Sequence, residues 1–447
     1  MKIKHQLRAL YLLEAVSGFG IAQVIWVVLL AGRGFSLAQI GLAEGFFHLV
    51  SFFCEVPSGM AADLFGRKRT LAAGMAVRAL ACLAMIASRG IGGICLAMGL
   101  SALSYNLLSG TREAIIYDSL LQANCAGDYE RVAGRMGVLF RASAMGCSVC
   151  AGAALALGWR LAYLTDLFAA LTGLVLALGL TEPPCGQKAS AALREFRARL
   201  RRHVADTGSF LRCNPAAVEK MLLDGACGCC AYFGGQLLQQ RLMELGLPGG
   251  LLGPALAVMG LAGMAGSALA SRVGGRFGRV AVVCAAGIGC SLALAGAPVL
   301  ALALTAGAAA TFWDGLLEVK MTARLNRDFP SDRRATLVSV QSMAYSLAML
   351  PVSPLAGALC DRFGYSGGMA ALGLGLLSLV AAGLVLTGIR NRTQETEPPR
   401  RSRGKNGAAR RSVLGFWGMR SRIRGNSARG QGITGPWRSR SLRRWRP

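Results

Sequence analysis

Residues 59–69 read Gly59-Met-Ala-Ala-Asp63-Leu-Phe-Gly66-Arg67-Lys68-Arg69, a chain reversal set between two apolar runs. Gly59 predicts a close approach of two helices. Asp63 ends one helix where its carboxylate can face a neighbouring helix N-terminus, and Gly66 permits the tight turn. The basic triplet Arg67, Lys68 and Arg69 then anchors the loop at a membrane surface.

Outward from this loop, residues 38–60 and 70–88 are continuous apolar runs, and the pattern repeats along the chain. Apolar residues make up 53% of the 447, charged residues only 16%, and there are 59 Gly. A soluble chain carries nearer to about 25% charged residues, so lipid is the expected solvent. Hydrocarbon admits helices or closed barrels, and continuous runs without period-two alternation select helices. At roughly 20 residues per crossing, the segments are 9–31, 38–60, 70–88, 93–120, 134–157, 160–181, 216–240, 250–271, 279–296, 298–321, 335–357 and 366–389. Glu14 and the length of the first run argue against a cleaved signal peptide.

Lys and Arg fall unevenly on the two sides. One side holds Arg67 to Arg69, Arg131 and Arg135, seven basic residues from Lys188 to Arg212, then Arg272, Arg276, Arg279, Arg324, Arg327, Arg333 and Arg334. The other holds Arg33, Arg89, Arg160, Arg241 and Arg362. By the positive-inside rule the basic side, with both termini, is cytoplasmic.

The chain also repeats itself. Gly110 and Glu113 recur as Gly315 and Glu318, Gly152 as Gly357, Gly158-Trp159 as Gly364-Tyr365, and Gly59 as Gly266, at offsets of 205 to 207. The expected fold is therefore an all-α membrane protein with twelve transmembrane helices in two pseudo-symmetric six-helix bundles. The expected division is a first bundle at 1–181, a basic linker at 182–215, a second bundle at 216–389 and a disordered basic tail at 390–447. Leu193, Phe196, Leu200 and Val204 give the linker an amphipathic stretch suited to anionic headgroups. The tail holds 17 Lys or Arg against two acids, a net 17 − 2 = +15 of the chain's +27. Its Trp417, Trp437 and Trp445 raise nucleic-acid binding as a reading, but a tail on the basic side of a membrane domain points to anionic lipid instead.

The loop at 59–69 resembles the signature of the major facilitator superfamily, Gly-x-x-x-Asp-x-x-Gly-Arg-Lys, at its expected place between helices two and three. The stretches EVPSGMAADLFGRKR, SGTREAIIYDSLL and RRATLVSVQSMAYSLAML resemble a bacterial branch associated with drug or metabolite efflux. The resemblance implies a multi-pass bacterial inner-membrane protein that moves small organic molecules by alternating access. It also implies a latch in the outward-facing state, in which Gly59, Asp63, Gly66, Arg67 and Lys68 form the loop, Asp118 joins it, and Arg131 is a fourth member. The second copy, Gly266 to Arg279, lacks an acid at the matching position. Many proton-coupled exporters of the superfamily carry a Gly-Pro pattern in helix five, yet no Pro lies between residues 134 and 157 here. Antiport is therefore not readable from that helix.

Ionisable groups at helix centres cost about 2.5–3.5 kcal/mol each, so those present should face protein or a wet cavity. Glu44, His48, Ser51 and Glu55 form one stripe on helix two, and Asn106, Ser109, Glu113 and Tyr117 another on helix four. Glu113 is the first candidate for proton coupling, because it recurs as Glu318; Glu44, Asp314 and Glu318 are the others. His48, Tyr105, Asn106, Ser109, Gln236, Gln341 and Tyr345 are the expected cavity residues. Lys220 and Asp224, four apart, are expected to pair; Arg112 is expected beside a neighbouring acid, and Arg78 and Arg141 have no assignable partner. The 14 Cys read as packing residues.

With no Gly-x-x-x-x-Gly-Lys-Ser/Thr loop, no ATP-driven pump is indicated, and His5, His48 and His203 are too scattered for a metal site. The expectation is a monomeric, proton-coupled exporter without cofactor or enzymatic activity; uptake of a metabolite and a non-transporting sensor or scaffold are the alternatives.

Overall fold

The computed structural model describes residues 3–183, 211–328 and 334–396, with a few positions between 201 and 209. The amphipathic stretch of the linker and the basic tail beyond residue 396 lie outside the described residues. The first half contains α1 (Ile3–Ser17), α2 (Ile21–Val24), α3 (Trp26–Gly32), α4 (Leu37–Phe65), α5 (Arg67–Ala87), α6 (Ile91–Leu108), α7 (Thr111–Gln122), α8 (Tyr129–Val149) and α9 (Ala151–Gly179). The second contains α10 (Pro215–Glu244), α11 (Gly249–Leu269), α12 (Phe277–Ala295), α13 (Leu300–Asp328) and α14 (Arg334–Thr396).

Eight of the described helical stretches are long and apolar enough to cross a membrane. The broken first crossing (α1 to α3), the more polar α8 and α10, and the division of α14 at Gly364 bring the plan to the expected twelve. The break near Pro298 is real, since α12 ends at Ala295 and α13 begins at Leu300.

Glycine sets the main reversals. Gly66, at φ 96°, separates α4 from α5. Gly158 (φ 77°, ψ 161°) and Gly364 (φ 71°, ψ 170°) interrupt α9 and α14 with nearly the same backbone geometry. The repeat offset read from the sequence thus marks one conformation used twice. Gly110, at φ 68°, breaks the fourth crossing between α6 and α7, whereas its repeat Gly315 sits inside the continuous α13.

Small side chains carry the packing: Ala22, Ala43, Ala97, Ala151, Ala154, Ala285 and Ala303 are fully buried, while Phe53, Phe168 and Val175 project outward. This inversion fits a lipid environment, where helices gain by close approach rather than by hiding apolar surface. The break in the first crossing leaves backbone groups that neighbouring side chains satisfy. Arg78 donates to the carbonyls of Ser17 (2.8 Å) and Phe19 (2.6 Å), and buried Asp166 accepts from the amides of Ala22 and Gln23. Arg78 therefore has partners after all, in the backbone, where sequence spacing cannot show them.

Candidate functional site

The two halves meet along two seams. In one, α4 packs on α14; in the other, the α8–α9 junction packs on α11. Both seams are tightest at the end of the bundle away from the basic loops, called here the far face. A methyl group added at Gly41 would strike the carbonyl of Ser353, and one at Gly357 would strike that of Leu37. At the second seam Gly253 lies against the Val149 carbonyl and Gly152 against Gly249 and Gly250. A third cross-contact, from Gln239 Nε2 to the Val24 carbonyl (3.1 Å), joins α10 to the end of α2.

The α4–α14 seam also carries charge. Asp361 accepts hydrogen bonds from the amides of Leu37 (2.9 Å) and Ala38 (2.8 Å), so a carboxylate of the second half caps the first turn of a helix in the first half. Such caps satisfy otherwise orphaned amides and oppose the positive end of the helix dipole. Sequence reading did not find Asp361; its partners are more than 300 residues away.

Further along the same seam, Glu44 and His48 are buried at 3% and 7% exposure, with Oε1 and Nε2 3.5 Å apart. His48 Nδ1 reaches Ser346 Oγ at 3.4 Å, and its ring meets Tyr345 edge-on at 5.5 Å. Tyr232 lies within reach of the Glu44 carboxyl and the Trp26 indole. Ser51 donates to Asn106 Oδ1 (3.0 Å), and Ser342 donates to Glu55 (3.1 Å). The stripe expected on helix two is therefore present, and Ser346 and Tyr232 are its unforeseen partners.

Tyr105, on α6, and Tyr232, on α10, keep 54% and 41% of their surface. Half-buried Asp224 and Asp314 and exposed Glu318 lie on α10 and α13, close enough to interact electrostatically. Gln341 donates to Asp224 Oδ2 at 2.8 Å. Gln236 accepts from Gln239 at 3.1 Å on the same helix. Among the described residues no three His, Cys, Asp or Glu side chains gather as metal ligands.

Several expectations need correction. Lys220 does not pair with Asp224: its Nζ lies 2.5 Å from Asp328. The i,i+4 rule was outweighed by a tertiary partner at the end of α13. Arg131 pairs with Asp128 (2.9 Å) on its own helix turn and not with the signature loop. Gly59 faces open space; the close approach occurs at its repeat, Gly266, against Phe312. The expected stripe on helix four is interrupted, because the break at Gly110 separates buried Asn106 and helix-terminal Ser109 from exposed Glu113 and Tyr117 in α7. Arg112 does pair with an acid, Glu14, at 3.0 Å.

At the basic face, Arg67 Nη1 lies 2.6 Å from Asp63 and Nε 3.4 Å from Asp118, so three residues of the expected latch do meet. Glu182 adds an unforeseen element, accepting from the amides of Arg67 (2.6 Å) and Lys68 (3.0 Å) and thereby capping α5.

Known proteins share this architecture. The sequence profile described as Major Facilitator Superfamily matches residues 9–350. Among solved structures, a mutant of the nucleoside transporter NupG is similar at a TM-score of 0.65 and 14% identity, over 85% of this chain and 99% of that one. A POT family transporter in complex with 5-aminolevulinic acid is similar at 0.62 and 11%, over 85% and 95% of the two chains. A D-xylose-proton symporter is similar at 0.58 and 13%, over 83% and 96%. At these identities the likeness speaks to fold. No curated protein matches the chain significantly.

Proposed function

The chain belongs to the Major Facilitator Superfamily, and on that premise we propose that it is a proton-coupled transporter exporting small organic molecules by alternating access. Membership of that family supports secondary transport across a membrane rather than an enzymatic role. The observation that carries the finer reading is the set of carboxylates, Glu44, Glu55, Asp224, Asp314 and Glu318, held between two bundles whose seams close at one face. Acids within membrane helices are expensive where they meet lipid and are kept where they bind or pass charge. Glu113, exposed in the first turn of α7, remains a candidate for proton exchange. In this reading the far face is external and the basic face is cytoplasmic; the Asp63–Arg67–Asp118 contact, formed here while the far face is closed, ties the loop to α7 within the first half.

A single proton moving with a potential of 100 mV supplies about 2.3 kcal/mol, sufficient for roughly a fiftyfold gradient. One titrating site is enough to drive the cycle.

The test is flux through the purified protein in liposomes carrying an imposed pH gradient, against a panel of dyes, drugs and metabolites. Solute movement opposite to the proton gradient supports export by exchange. Movement with the proton gradient supports the second reading, uptake, which draws on the solved neighbour named a D-xylose-proton symporter. No gradient-dependent movement of any solute contradicts the coupling.

A further inference from the structure

We propose that the groove between α1 and the second limb of α9 binds an anionic phospholipid from the leaflet at the far face, with an acyl chain in the groove and the phosphate on Arg160. The site is independent of the direction in which solute moves. The groove encloses about 720 Å³, within the size range of cavities that hold a drug-sized ligand. Val16 and Phe19 line one side, at the end of α1, and Leu161, Leu164, Phe168 and Thr172 line the other. Leu161 and Phe168 are 50% and 74% exposed, so the groove opens outward, toward lipid. Gly18 is pressed against the Phe140 carbonyl and Ser143 of α8, so α1 is held between α8 and α9 while the groove stays open beside it.

The length of the groove matches one leaflet. The second limb of α9 starts at the far face, after the turn at Gly158. From Leu161 to Thr172 the helix rises about 16 Å, and half of the hydrocarbon core of a bilayer is about 15 Å. The groove thus runs from headgroup level to the bilayer centre, the span of one acyl chain. Its lining selects hydrocarbon. The hydroxyls of Thr165 and Thr172 are spent on their own helix, donating to the carbonyls of Ala162 (2.7 Å) and Phe168 (2.9 Å). A polar solute would lose its hydration there and find no partner, whereas an alkyl chain loses nothing.

Charge at the outer end selects the headgroup. Arg160 precedes Leu161 there, exposed, its guanidinium 4.9 Å from the centre of the Trp159 ring. Tryptophan is enriched at the level of lipid headgroups. The far-face turns of the first half, residues 31–36, 88–92 and 157–162, hold Arg33, Arg89 and Arg160 and no Asp or Glu. Arg33 is bound to Ser88 and stacked on Trp159. Arg160, among the described residues, has no carboxylate within ion-pair distance. Cations are disfavoured on this side of the membrane; a phosphate, which a guanidinium grips with two parallel hydrogen bonds, accounts for this one.

The test is photolabelling of the full-length protein in phosphatidylcholine nanodiscs doped with a phosphatidylglycerol that carries a diazirine midway along one acyl chain, with adducts mapped by peptide mass spectrometry. Labelling should concentrate on residues 11–24 and 157–172. Unlabelled phosphatidylglycerol should compete about fivefold better than phosphatidylcholine, the preference one arginine near a membrane surface confers. Leu164→Trp, which fills the groove, should cut labelling of both peptides by at least about fivefold; Thr172→Trp, deeper in, replaces it if that variant does not fold. Arg160→Gln should keep the labelling and lose the preference. Labelling spread over the other lipid-facing helices, or unchanged by the Trp variants, overturns the site, and a preference that survives Arg160→Gln overturns the placing of the phosphate. Displacement of the probe by a solute that the protein carries assigns the groove to that solute, and a dimer in native mass spectrometry that Leu164→Trp splits assigns it to a second copy; either result overturns the proposal.

Discussion

The two seams between the halves share a backbone and differ in chemistry. Gly357 against Leu37 in the first and Gly152 against Gly249 in the second occupy equivalent places in the repeat, and each lets a helix meet its neighbour's main chain. Only the α4–α14 seam carries Asp361, Glu44, His48 and the Glu55–Ser342 contact. At the position 206 residues before Asp361 stands Leu155, whose methyl group lies against Gly249. Duplication thus supplied a means of closure twice, and charge was placed on one copy.

The largest break in this comparison should come from filling the glycine contacts. Gly41→Val and Gly253→Val each force a side chain into a backbone carbonyl. Overpacking of this kind costs about 1–3 kcal/mol, so both variants should open the far face by roughly ten- to a hundredfold. Exchange protection of residues 37–45 and 249–253 would measure it. Equal effects at both seams would confirm the shared backbone role.

Asp361→Ala should separate the seams. Losing a cap at an exposed helix start costs about 1 kcal/mol, roughly a fivefold shift toward the open far face. Asp361→Asn, which still accepts from amides, should shift it less. The change should be confined to α4 and α14 in the same exchange measurement, leaving α11 protected as before.

A smaller effect is expected at the basic face. Asp63 is half exposed, and exposed ion pairs contribute about 0–1 kcal/mol. Asp63→Asn should therefore slow turnover by up to a few-fold while leaving the amount of folded protein unchanged, measured as flux per molecule in liposomes.

The smallest change would be gained rather than lost. Leu155→Asp places a carboxylate beside the first turn of α11, reproducing at the plain seam what Asp361 does at the charged one. Its far face should become more protected by a few tenths of a kcal/mol, an effect that high salt should erase.

What the sequence made legible, and what it hid, follows the range of the interactions. Hydropathy and length are local, so the twelve crossings could be read directly, and the basic loops predict an orientation. The Asp63–Arg67 contact spans four residues, and the Gly158–Gly364 repeat is visible as spacing. Lys220 shows the limit of local rules: a good partner four residues on lost to Asp328, 108 residues away. Asp361 and Glu182 serve as caps for helices far away in the chain, and nothing adjacent to them signals it. The break at Gly110 was hidden because the apolar run continues through it; only a positive φ marks it.

The central claim is that the α4–α14 seam must part for solute to cross. Gly45 and Ser353 face one another across it, so that a methyl carbon on Gly45 would lie 3.6 Å from Ser353 Oγ. Cysteines at these two positions, in a protein whose native cysteines have been replaced, should form a disulfide under oxidation. Flux in liposomes should then stop and return on reduction. Undiminished flux with the disulfide fully formed would contradict the account.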